Sequence, residues 1–296
     1  SYIGYFLAGV FALTAAGVLV NRRMKLGFPV FRFQTLRSNL TDFRGFLKSH
    51  RILSVFGLLV VLNSAFLAFC VVYFPQNIAD NLYNHLSRIG YWIQNGSLEH
   101  YTGFNVVGMT YPYNNSLLIA LPMVLLRTDV FAGFVQLTAG GLACMAVYNI
   151  SRRLGFNQTG SLWAALLLLT YPVILYESIT SQNDLLAAAL ITTSFSLLAS
   201  FSLAKQKSLL VFSLLALALA LGTNQYTLGI LPAYAVPFLV VMFRQKNLNV
   251  KTLASAVMIF VGFFTLAGAY SYAQNWIVLG NPFGPKDIAN KITGLN

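Results

Sequence analysis

The sequence predicts an all-α integral membrane protein, a polytopic helical bundle of about eight spans with an amphipathic helix in its first outer loop. Three observations predict it. Hydrophobic residues make up 57% of the 296 positions, charged residues 9%, and the mean hydropathy is +0.69, values that a water-exposed surface does not tolerate. The apolar residues fall in runs long enough to approach the thickness of a bilayer. The basic residues collect in alternate connections between those runs, which is how a membrane protein encodes its orientation. The net charge of +12 and the pI of 9.8 therefore do not point to nucleic acid, which calls for a basic patch on a soluble surface.

In chain order the runs predict spans near 2–20, 52–74, 130–150, 160–176, 184–203, 208–222, 226–243 and 252–273. The first opens without a basic stretch and ends at Arg22 and Arg23, so it reads as a span and not as a cleavable signal. Eight basic residues lie in 21–51, from Arg22 to Arg51, and seven more (Arg152, Arg153, Lys205, Lys207, Arg244, Lys246 and Lys251) lie in alternate loops. That side is cytoplasmic by the positive-inside rule. The other side keeps four basic residues yet holds Asp80, Glu99, Asp129, Glu177, Asp184 and Asp287, six of the seven acids. The run 114–126 is read as re-entrant or interfacial, because a full crossing there would invert every later loop. The expected domain is one membrane unit over 1–296, in an inner (cytoplasmic) membrane of bacterial type, with 21–51 as its basic cytoplasmic loop, 75–115 as its main outer loop, and the C-terminus left open. Cys70 and Cys144 lie inside apolar runs and read as small packing residues.

Within the outer loop, IADNLYNHLSRIGYWIQNG has the period of an amphipathic helix. On a helical wheel Leu82, Leu86, Ile89 and Ile93 form an apolar stripe, opposite Asp80, Asn84, Ser87, Arg88 and Tyr91. The expectation is a helix lying on the membrane surface, its stripe in lipid or on the span tops and its polar side in water, ended by Asn95 and Gly96. A carboxylate beside a membrane cavity can take a proton from a hydroxyl, and a nearby Arg can hold a phosphate. The plainer alternative is a solvated polar face with Asp80 as a helix cap. A second polar knot, YESITSQND at 176–184, places Glu177, Gln182, Asn183 and Asp184 between two apolar runs, with Asp184 either a cap or a functional acid. His50, His85 and His100 lack the i, i+4 spacing of a metal-binding helix, and no P-loop, GxSxG or GxGxxG motif is present.

The run DNLYNHLSRIGYWIQNGSLEHY at 80–101 resembles the first outer loop of the GT-C class of membrane glycosyltransferases, above all bacterial relatives of the dolichyl-phosphate-mannose protein mannosyltransferases. The resemblance continues through SQND at 181–184, ALGT at 220–223 and GNPFGP at 280–285. It implies transfer of a sugar from a polyprenyl-phosphate donor to an acceptor on the extracytoplasmic face. Asp80 then stands as catalytic base, with Asn84, His85, Arg88, Tyr91, Gln182, Asn183 and Asp184 around the substrates. The chain departs from the family pattern at Asn84, at Ser87 and in TYPYNNS at 110–116, where relatives carry a further acid. That departure leaves the need for a divalent cation open. A catalytically degenerate relative, serving as a membrane subunit among other chains, is the alternative. A transporter ranks behind both, because charged residues are nearly absent from the spans.

Overall fold

The computed structural model describes residues 45–101, 106–245 and 249–284. The span expected at 2–20, the loop 21–44, Lys246 and the residues after 284 lie outside the described residues. Among those described the fold is all helical, with no strand. Five helical stretches are long and apolar enough to cross a membrane. They are α1 (Arg51–Tyr73), α5 (Phe134–Arg153), α8 (Asp184–Ala204), α10 (Ile230–Arg244) with the 3₁₀ turn Gln225–Gly229 before it, and α11 (Val250–Ala267). Between them lie α2 (Ser87–Asn95), preceded by a π-helical turn at Asn81–Leu86, then α3 (Val106–Thr110), α4 (Asn114–Leu126), α6 (Gln158–Leu168), α7 (Pro172–Glu177) and α9 (Lys207–Leu221), with α12 (Tyr270–Leu279) last.

Where the expected spans and the helices differ, local chemistry accounts for it. The run 160–176 is two short helices and not one, because Tyr171 is extended before Pro172, as a residue preceding proline prefers to be. The run 252–273 breaks at Gly268 into α11 and the start of α12. Helix α9 has 15 residues and α4 has 13, both short of the ~20 that a bilayer core requires.

Helix α8 is the centre of the bundle. It packs on α5 and α9, and α9 packs on α11. Half of its most apolar window is buried, against 6% for α11 and 11% for α1. The peripheral helices instead turn large apolar side chains outward, among them Leu58, Leu62, Phe66, Val257 and Met258, which lipid accepts and water does not. Small residues line the inner seams: Ala139 and Ala143 of α5 meet Leu185 and Ala189 of α8, and close approach of this kind drives helix association in lipid. Hydroxyls add to it. Ser194 Oγ of α8 donates to Ser213 O of α9 at 2.8 Å, and Ser213 Oγ donates back to Ser194 O at 2.6 Å. Below them Leu198, Phe201, Leu217, Tyr234, Phe238 and Met242 form the largest apolar cluster.

The closest approach lies at the C-terminal end of α9. A Cβ on Gly222 would stand 2.5 Å from Gly268 Cα and closer still to Asn114 Nδ2. The Gly222 carbonyl also accepts from Asn114 N at 2.9 Å, so α4, α9 and α11 converge on one backbone point. Gly222→Ala is expected to lower stability by about 1–3 kcal/mol, since backbone atoms of Gly268 and Ala267 as well as the Asn114 amide oppose the new methyl. Thermal unfolding in detergent checks it, and an unchanged midpoint would show that the seam can widen.

Candidate functional site

The helix after Asp80 buries a strip that matches neither of the two faces the sequence distinguishes, taking in Ile89 of the apolar stripe and Arg88 of the polar face. Its inward strip is Asn81, His85, Arg88 and Trp92, at most 5% exposed, while Leu82 and Ile93 of the apolar stripe stay 44% and 48% exposed. This strip is turned by about 90° from the apolar one. The expectation of a solvated polar face is therefore corrected: Arg88 is fully buried. The cause is an acceptor array from a distant segment. Arg88 Nε donates to Gly108 O at 2.6 Å, Nη2 donates to the same carbonyl, and Nη1 donates to Tyr111 O at 3.1 Å and Pro112 O at 3.3 Å. Its guanidinium faces the rings of Trp92 and Tyr113, an arrangement that offsets part of the desolvation. Burial draws its pKa down to about 10, so it remains charged.

Asp80 does not cap a helix. Its backbone is already helical and its side chain makes no cap hydrogen bond. Its carboxylate is 42% exposed and accepts from Asn84 Nδ2 on Oδ1, while Oδ2 lies 3.8 Å from His85 Nε2. Burial, reinforced by the charge on Arg88, pushes His85 down to about 3. The imidazole is therefore neutral, and the Asp80–His85 contact is not an ion pair.

The second polar knot comes to the same place. Asp80, His85, Asn183 and Asp184 line one cleft of ≈ 110 Å³, completed by Tyr111, Pro112, Asn224, Gln225 and Tyr226. Asn224 organises its far wall: Nδ2 donates to Asp184 Oδ1 at 2.8 Å and to Asn183 Oδ1 at 3.2 Å, and its own Oδ1 accepts from Tyr226 N at 2.9 Å. Asn183 in turn donates to Thr223 O at 2.8 Å. Beneath, the fully buried Asn115 and Gln136 hold the 181–186 backbone, with Asn115 Nδ2 reaching Ser181 O at 3.0 Å and Gln136 Oε1 accepting from Leu186 N at 3.0 Å. Gln76 bridges the two motifs, donating to Ile179 O at 3.0 Å and accepting from Asn81 Nδ2 at 2.6 Å. Such networks fix geometry when every member is satisfied.

The other expected residues stand off the cleft. Tyr91 stacks on Tyr101 with centroids 4.0 Å apart. Gln182 turns to Glu177, whose oxygens its amide nitrogen reaches at 2.8 and 3.0 Å. Glu177 is half-buried and pushed up to about 6, first by burial and then by the charges of Asp184 and Asp80. The cleft is thus negative: two carboxylates line it, a third lies within their field, and among the described residues no Lys or Arg lines it. Among the described residues no three His, Cys, Asp or Glu side chains are placed to hold a metal ion.

The raised carboxyl of Glu177 gives a pH dependence of definite sign. The folded state binds this proton more tightly than the unfolded chain, so the contribution is full below the ordinary value of 4.5 and is lost as pH rises through about 6. Because the group is half exposed, screening holds the effect to under about 1 kcal/mol. Unfolding midpoints of wild type and Glu177→Gln, compared across that window, are expected to converge at the acid end and separate toward neutrality, with wild type the lower. Parallel curves would remove Glu177 from the account.

The residues that sequence reasoning missed are Tyr111, Pro112, Asn224, Gln225 and Tyr226. Their signal was present: TYPY before the 114–126 run, and TNQY between two apolar runs. The chain matches no family model, no curated protein and no solved structure.

Proposed function

We propose that this chain is a membrane glycosyltransferase, moving a sugar from a polyprenyl-phosphate donor to a hydroxyl acceptor on the extracytoplasmic face of a bacterial-type inner membrane. The observation that carries the reading is the cleft, where the Asp80–His85 motif and the Asn183–Asp184 motif meet although α2 to α7 lie between them in the chain. In this reading the acceptor O–H gives its proton to Asp80 as its oxygen bonds to the anomeric carbon. The bond from that carbon to the phosphate oxygen breaks, its electron pair stays with the phosphate, and the configuration inverts. Asp184 and Asn183 orient the sugar hydroxyls, and Tyr111, Gln225 and Tyr226 offer donors at the cleft mouth.

Arg88 takes a different part from the one the family resemblance implies. Its donors go to the 108–112 carbonyls, so it fixes the segment that carries Tyr111 and Pro112 into the cleft and does not grip the donor phosphate. The topology belongs to the same proposal: eight spans in all, the cleft on the side opposite the basic loops, and 114–126 not crossing.

The test is release of polyprenyl phosphate by the purified chain in nanodiscs, given polyprenyl-phosphate sugars and a hydroxylated acceptor. Stoichiometric release with glycosylated acceptor supports the reading, and no release from a panel of donors contradicts it. A second reading, a membrane subunit that keeps this architecture for packing alone, draws on Arg88, since the cation of the outer-loop motif is spent on the chain's own carbonyls. That reading expects no transfer and stable co-purification with another membrane chain.

A further inference from the structure

We propose that the cleft is a binding site for a primary ammonium group, presented by an amino sugar or by an ethanolamine headgroup. The first observation is the balance of charge. Asp80 and Asp184 both line the cleft, and each has its Oδ1 occupied by a neighbouring amide, Asn84 in one case and Asn224 in the other. Their Oδ2 atoms remain as acceptors. The one nearby guanidinium that the described residues provide, Arg88, is turned into the protein and engaged by carbonyls and aromatic faces.

The second observation is independent of the carboxylates. His85 is 2% exposed and lines the cleft, yet its Nδ1 has no hydrogen-bond partner and its Nε2 stands 3.8 Å from Asp80 Oδ2, beyond hydrogen-bond reach. A ligand in the cleft reaches Nε2, the ring nitrogen beside Asp80, and supplies the hydrogen bond that this atom lacks, while Nδ1 stays as it is. In the tautomer with its lone pair on Nε2, the ring and the Asp80 carboxylate present two acceptors side by side. A single donor group bridges that gap. An ammonium carries three N–H donors and no acceptor, which suits a cleft whose lining offers the acceptors of Asp80, His85 and Asp184 together with the aromatic residues Tyr111 and Tyr226. A phosphate placed there would face two carboxylates without a neutralising partner, so a donor's phosphate belongs at the rim.

An amino sugar as donor or acceptor rests on the transfer reading above, whereas ammonium binding itself does not. The experiment is calorimetric titration of the full chain in nanodiscs, near neutral pH, with glucosamine, glucose, N-acetylglucosamine, ethanolamine and magnesium chloride. Glucosamine is expected to bind at least about tenfold more tightly than glucose or N-acetylglucosamine, since masking the amine removes a charge-assisted bond. Asp184→Asn is expected to erase that preference. Ethanolamine matching glucosamine assigns the ammonium to a lipid headgroup, and ethanolamine failing assigns it to a sugar.

Equal affinity for the three sugars, or saturable magnesium binding without glucosamine binding, overturns the proposal, and this comparison in wild type needs no variant to fold. Transfer of neutral sugars with no preference for the amine would sink this inference and leave the transferase reading standing. Ammonium binding with no transfer from any donor would do the reverse.

Discussion

Arg88→Ala is expected to collapse the outer-loop assembly, lowering stability by on the order of 4 kcal/mol. Three carbonyls, those of Gly108, Tyr111 and Pro112, accept from this one side chain, and each would lose that donor. The aromatic rings of Trp92 and Tyr113, in edge contact at 4.8 Å, would border a void where the guanidinium lay. Arg88→Lys is expected to recover less than half of the loss, because a single ammonium cannot span carbonyls that the planar fork reaches together. Thermal unfolding in detergent measures the cost, and limited proteolysis between 96 and 112 reports whether the segment detaches. If Arg88→Ala unfolds like wild type while sugar transfer fails, the side chain serves the substrate and its place here as a structural pin is wrong.

Asp80→Asn, by contrast, is expected to leave the fold intact and to lower sugar transfer by about 10²–10⁴-fold, the range that positioned proton transfer supplies. The carboxylate is 42% exposed and its hydrogen bond comes from Asn84, which an amide oxygen accepts as well as a carboxylate does. Stability should thus hardly move. What is lost is the proton acceptor, and with it kcat far more than KM. Asp184→Asn is the control, since its Asn224 contact also survives amidation; it is expected to raise KM more than it lowers kcat. Transfer by Asp80→Asn at wild-type rate would remove Asp80 from the chemistry.

These two residues show what the sequence made legible. Asp80, His85, Asn183 and Asp184 were read as site residues from two motifs, and the fold gathers all four in one cleft. Arg88 was read onto a solvated face because a helical wheel sorts side chains by polarity. The fold divides the helix differently: Leu82 and Ile93 face outward, which lipid accepts, while Ile89 joins Asn81, His85, Arg88 and Trp92 in the strip that turns inward. The deciding partner, a row of backbone carbonyls at 108–112, leaves no periodic trace in a sequence.

Asn224 was missed for a related reason. It sits in a short connection between apolar runs, and its value lies in joining Asp184, Asn183 and Tyr226 N, a convergence only tertiary contact creates. The run at 160–176 is a broken and not a continuous helix by a local rule that was in view, since Pro172 sits inside the run and breaks the helix before it.

In the transfer reading, the cleft lined by Asp80 and Asp184 receives the sugar end of a polyprenyl-phosphate donor. The most direct measurement is a cryo-EM map of the chain in nanodiscs loaded with such a donor. The account predicts density for the sugar between Asp80, His85 and Asp184, with the phosphate at the rim near Tyr226 and Arg88 still bound to the 108–112 carbonyls. A cleft closed by its own side chains, or a donor phosphate held directly by Arg88 after it has left those carbonyls, would contradict it.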